Sequence, residues 1–129
     1  MERKRRTGAL ESFQEDPITE RLLAVNQCYL QLNKLPPKET EKENCDACAD
    51  QFRMIELLYQ KGPLAVRFKI VSILPTFRMR RVREILEHAL REDDSPLVRH
   101  EAAFGLGVMG DTEAVPTLVS VGASGIRVC

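Results

Sequence analysis

From Pro17 onward, apolar side chains return along the chain at helical steps. Ile18, Leu22, Val25, Tyr29 and Leu32 recur every three or four positions, the spacing that gathers side chains on one face of an α-helix. Asp16-Pro17 suits the start of that helix, because Asp accepts orphan backbone N–H bonds and proline is tolerated at the first helical position. The stretch "LPPKETEKENCDAC" then breaks the pattern with Pro36-Pro37 and an acidic run. A second helix is predicted over 49–61, with Phe52, Ile55, Leu58 and Tyr59 on one side and Gly62 at its end. A third, over 63–74, carries Val66, Ile70, Ile73 and Leu74 and stops before Pro75. The fourth, over 78–91, has Val82, Ile85, Leu86, Ala89 and Leu90 on one face. Ser95-Pro96 opens a fifth over 95–109, with Val98, Ala102, Leu106 and Met109 inward, and a short sixth covers 113–121. No stretch alternates with the period of a β-strand. The pattern predicts an all-α chain.

The helices also repeat. When "PLAVRFKIVSIL" is laid over "SPLVRHEAAFGL", Val66-Arg67 falls on Val98-Arg99, Ile70 on Ala102 and Leu74 on Leu106, 32 positions apart. The same offset lays Val82 on Ala114 and Leu86 on Leu118. Two helix pairs in one register predict a short α-solenoid, in which each pair buries one side itself and the neighbouring pair covers the other. The expected organisation is a charged flexible tail over 1–16 and a helix with an acidic, cysteine-bearing loop over 17–48. Stacked repeats over 49–121 and a tail over 122–129 complete it. The sixth helix has no partner before Cys129. This points to a truncated chain, or to a face that docks on a partner or a second copy.

Asp93 to Leu118, "DDSPLVRHEAAFGLGVMGDTEAVPTL", resembles the short HEAT-like repeat of phycobilisome lyases and deoxyhypusine hydroxylase. Its parts are an acidic turn, Val-Arg, a small-residue helix, Gly-Asp, and Ala-Val-Pro opening the next helix. Small residues at Ala102, Ala103, Gly105 and Gly107 let a neighbouring helix approach, and Gly110-Asp111 makes the turn. The resemblance is specific over 93–118 and looser over 49–92. It implies a HEAT-like solenoid. In the hydroxylase, His-Glu pairs on such helices bind iron, which the resemblance carries onto His100 and Glu101. An iron centre needs several N and O ligands from different elements, and one pair supplies two. The preceding repeat has Phe68-Lys69 in the same place, which cannot ligate a metal. The competing reading makes His100 and Glu101 ordinary residues flanking a buried stripe.

Two other clusters carry chemistry. Cys45 and Cys48 in "CDAC" have metal or redox spacing, although a structural zinc site needs four ligands and a thioredoxin-like role a strand–loop–helix context. "RMRRVRE" puts Arg78, Arg80, Arg81 and Arg83 at a helix N-terminus, where they oppose the macrodipole. With Arg67, Lys69 and Arg99 they form a candidate ridge for an acidic protein partner or phosphate. "GLGVMG" from Gly105 imitates a dinucleotide fingerprint but lies in a helix and follows no strand.

Composition narrows the function class. Nineteen basic and nineteen acidic residues cancel, so no global field recruits nucleic acid or an anionic membrane. Aromatics are 5% with no Trp, in keeping with Leu, Ile, Val and Ala packed between helices. No apolar stretch reaches membrane-span length and no apolar segment follows the basic start, so a cytoplasmic chain with free thiols is expected. The function expected is a HEAT-repeat interaction or scaffold module without a cofactor. The alternative is a relative of a HEAT-repeat enzyme, with iron at His100 and Glu101 or with bilin-lyase-like chemistry.

Overall fold

Helix follows helix with short connections in the computed structural model, which describes residues 17–35 and 46–123. The charged N-terminal segment, Asp16, the acidic loop with Cys45, and the C-terminal tail with Cys129 lie outside the described residues. The elements are α1 (Pro17–Lys34), α2 (Asp46–Lys61), α3 (Leu64–Ile73), α4 (Arg80–Glu92), α5 (Pro96–Met109) and α6 (Val115–Ala123). Single 3₁₀ turns at Leu74–Thr76 and Thr112–Ala114 precede α4 and α6. Among the described residues there is no strand.

The elements begin and end for local reasons. Pro75 cannot continue α3, so the chain tightens into a 3₁₀ turn and leaves it extended at Phe77. Ser95 caps α5 by accepting the Val98 N–H, and Gly110 closes it in the left-handed region at φ 66°. Asp111 caps the following turn through the Glu113 N–H. Helix α2 starts at Asp46, three residues earlier than its periodicity predicted. Cys48 lies four residues before Phe52 and extends the same buried stripe, so it belongs to the helix and not to the loop.

The register of 32 residues is realised as stacking. Helix α5 packs along both α4 and α3, and α6 rests on α4. Val66 and Val98, Ile70 and Ala102, and Leu74 and Leu106 are all buried, as are Val82 and Ala114. Gly105 is where α5 comes closest to its neighbours: a Cβ there would sit 2.7 Å from Pro75 Cγ and 3.4 Å from Leu86 Cδ1. Helix α3 is covered on two sides, by α1 and α2 and by α5. Its buried arc is therefore wider than one amphipathic stripe. Val71 is fully buried although the stripe omitted it, while Ile73 is only partly covered. Helix α1 contributes Val25, Cys28 and Leu32 to the same core, and Tyr29 packs on Phe77 with ring centroids 5.4 Å apart. Ile18, expected on the inward stripe, is exposed at the first turn.

Candidate functional site

The six arginines do not share one ridge. Arg67 and Arg99 sit at the edge formed by the α2–α3 and α4–α5 turns, whereas Arg78 to Arg83 lie at the other end of α4. Thirteen residues of helix, about 20 Å at 1.5 Å each, separate the two edges. Four of them bind within the stack. Arg81 donates to Glu56 at 2.9 Å, with its guanidinium 5.4 Å from the centre of the Phe52 ring. Arg83 meets Glu87 at 3.2 Å, Asp111 at 2.9 Å and Glu113 at 3.3 Å, tying α4 to the turn before α6. Arg67 binds across to the next repeat, and Arg99 donates to the Asp93 carbonyl at 2.6 Å. Arg78 and Arg80 are exposed.

Asp93 is the knot at the Arg67 edge. Its side chain is only 2% exposed and accepts from Arg67 Nε at 3.0 Å, Arg67 Nη2 at 3.3 Å, Ser95 N–H at 2.9 Å and the Tyr59 hydroxyl. Burial alone would raise its carboxyl, but the bonds from Tyr59, Ser95 and Arg67 outweigh burial and hold it below the ordinary carboxylate value. Burial pushes the Tyr59 hydroxyl up, and its bond to the Asp93 carboxylate pushes it further. Arg67 also donates to the Gly62 carbonyl at 2.9 Å and reaches Asp94 at 3.2 Å. Charge, hydroxyl and backbone amide thus close the joint between two repeats.

His100 and Glu101 lie on the outer side of α5. His100 is exposed and Glu101 partly so. They share this side with an apolar stripe, Leu97, Phe104 and Val108, exposed by 52, 63 and 55%. Among the described residues no group of three or more His, Cys, Asp or Glu side chains is placed to hold a metal ion. The second histidine, His88, stands on α4 with its ring against Tyr59. The described residues bring one donor pair to α5 and do not by themselves fit an iron centre. Cys48 is buried in the core, and burial pushes the Cys28 thiol up, away from a reactive thiolate.

A groove that sequence reasoning missed runs between α2 and α4. It is lined by Glu56, Tyr59, Gln60, Glu84, Ile85 and His88, with a volume of about 230 Å³. A second hollow of about 350 Å³ shares Tyr59, Gln60 and His88 and continues to Arg67, Glu92, Asp93 and Asp94. The one signal for it in the sequence was the i, i+4, i+8 series Glu84, His88, Glu92. Asp93, Glu87 and Thr117 were also missed as partners, since nothing local reveals contacts between stacked repeats.

No helix among the described residues is long and apolar enough to cross a membrane. Deoxyhypusine hydroxylase-B of Oryza sativa subsp. japonica is 45% identical over 65 residues, which are 50% of this chain and 21% of that protein. Deoxyhypusine hydroxylase of Arabidopsis thaliana is 40% identical over 72 residues, 56% of this chain and 23% of the relative. The matched part of the chain thus spans about a fifth of the length of these curated relatives. No solved structure matches. The family model for HEAT repeats matches residues 53–125, more than half of the chain. With α2 to α6 stacked in the register of 32 residues, the chain belongs to the HEAT repeat family.

Proposed function

We propose that this chain is a protein-interaction module, a stack of HEAT repeats that binds a partner protein through exposed helix faces. The carrying observation is the apolar surface of the last repeat. Leu97, Phe104 and Val108 on α5 and Val115 and Val119 on α6 are all about half exposed or more. Large apolar side chains held out to solvent along a helix face mark an interaction surface. The repeat itself supports this. Val71 of α3 and Pro75 of the turn after it are buried where α5 packs on them, while their equivalents on α5, Ala103 and Gly107, are partly buried and exposed. A partner helix or a second copy of the chain fits that face. Arg78, exposed before α4, is the arginine this reading assigns to acidic groups of the partner.

The test compares wild type with Phe104→Glu/Val108→Glu in affinity capture, followed by reconstitution with the purified captured protein. Loss of two central apolar contacts is expected to weaken binding by about 10-fold to 100-fold, with the helical circular dichroism unchanged. Equal capture by both overturns the reading. Analytical ultracentrifugation of the same pair reports whether the partner is a second copy.

One observation favours a second reading: both curated relatives are deoxyhypusine hydroxylases. In this reading the chain is a segment or relative of such an enzyme, acting on deoxyhypusine. His100 and Glu101 contribute a donor pair to an iron site completed by groups beyond the described residues. Metal analysis of the purified protein is then expected to find iron that His100→Ala loses. A metal content that does not change with His100→Ala counts against it.

A further inference from the structure

We propose that the α2–α4 groove receives a lysine or arginine side chain of the partner protein. The proposal rests on the interaction-module reading and gives that partner a chemistry. The groove has an apolar floor and an acidic rim. Tyr59 and His88 meet edge to face with centroids 6.4 Å apart, and Ile85 completes the floor. Around it the two adjoining hollows bring Glu56, Glu84, Glu92, Asp93 and Asp94 against a single lining arginine, Arg67. Glu56 is neutralised by Arg81, and Asp93 by Arg67. Glu84 and Glu92, exposed on the His88 face of α4, have no ion pair among the described residues. The groove therefore carries an excess of negative charge. A lysine or arginine lays its alkyl stem on an apolar floor and keeps its charged head at a polar rim. The Tyr59 ring adds attraction for a cation over its face. An acidic segment meets repulsion at the same rim.

The groove is not a general property of the repeat. One repeat on, Tyr59 is replaced by Arg91 and Ile85 by Thr117, 32 positions later. There Arg91 donates to Thr117 Oγ1 at 2.7 Å, and Thr117 donates to Glu87 at 2.6 Å. Those bonds join α6 to α4. In the α2–α4 groove Tyr59 instead turns its hydroxyl to Asp93, and Ile85 offers no polar group in return.

The test uses the full chain and three dye-labelled peptides of equal length, one bearing Lys and Arg, one with these replaced by Gln, and one bearing Glu. Fluorescence anisotropy is expected to show the basic peptide binding about 10-fold or more tighter than the neutral one, with salt weakening it. Glu84→Gln/Glu92→Gln is expected to reduce that binding severalfold while leaving the Tyr59–Asp93 bond and the fold intact. NMR shift changes are expected at Tyr59, Ile85 and His88. Equal binding of basic and neutral peptides, or indifference to the double substitution, overturns the proposal. Binding that appears only after Arg3, Lys4, Arg5 and Arg6 are neutralised assigns the groove to the chain's own tail, which also overturns it. So does a loss of self-association in the glutamine variant. Selective binding of the acidic peptide, lost in Arg78→Ala, overturns the groove and leaves the interaction-module reading standing.

Discussion

Replacing Asp93 by alanine tests the joint between the two repeats. The substitution removes one acceptor from the Arg67 guanidinium, the Tyr59 hydroxyl and the Ser95 amide. The hydroxyl loses a bond to a charged partner, worth about 1.5–3 kcal/mol when the donor is left buried. Arg67 is 20% exposed and keeps the Gly62 carbonyl and Asp94, so its loss is discounted to about 1 kcal/mol for solvent screening. The turn amide adds about 0.5 kcal/mol. The sum, about 3–4.5 kcal/mol, matches the range for breaking a buried pair by removing one partner. Against a total stability of about 5–15 kcal/mol this is a large fraction, and it lowers Tm by roughly 10–15 °C. Urea unfolding followed at 222 nm reads it directly. A double-mutant cycle with Arg67→Ala is expected to give a coupling of about 1–2 kcal/mol. The pH dependence has a definite sign. A carboxylate depressed on folding stabilises above its unfolded value, near 3.9, and the stabilisation is lost as pH falls through the folded value. Wild type and Asp93→Ala therefore differ equally at neutral pH and about pH 5, and the gap narrows below about pH 4. A cost under about 1 kcal/mol, or a gap that does not narrow at low pH, refutes the reasoning.

Four further substitutions test the packing and the turns. Gly105→Ala is expected to destabilise by about 1–3 kcal/mol, because its Cβ meets the rigid Pro75 ring at 2.7 Å. Gly107→Ala, with nothing within 4 Å, is expected to stabilise by about 0.5–1 kcal/mol through helix propensity. The two are compared by thermal unfolding, and equal effects would falsify the close approach at Gly105. Thr117→Val is expected to cost about 1 kcal/mol, since it removes the bonds to Glu87, which keeps Arg83, and to the exposed Arg91. Hydrogen exchange should register that cost as faster opening of α6 than of α4. Gly110→Ala is expected to cost about 1 kcal/mol, because φ 66° strains any residue with a Cβ.

Much of the architecture was legible before any coordinates. Apolar steps of three and four located all six helices among the described residues, Pro75 and Gly110 marked two of their ends, and Val66-Arg67 over Val98-Arg99 announced the repeat. Errors came where a helix has more than one neighbour. Val71 looked like a residue off the stripe, yet a helix enclosed on two sides buries a wider arc. Cys48 looked like half of a CxxC pair in a loop. Its place in the Phe52 stripe, visible in hindsight, settles that it packs in the core.

The sites divide along the same line. Sequence alone determined which residues are cationic, which are acidic, and that His100 and Glu101 are adjacent on α5. It did not determine that Arg67 and Arg83 sit at opposite ends of α4, or that carboxylates from the next turn absorb both. A run of charge specifies potential contacts. Which are made depends on residues about thirty positions away, brought close only by stacking. Tyr59 reaching Asp93 and Arg91 reaching Thr117 are both contacts of this kind. Periodicity is a local property and the chain carries it openly. Partnership between repeats is a property of the stack, and only the stack brought Tyr59 to Asp93 and Arg91 to Thr117.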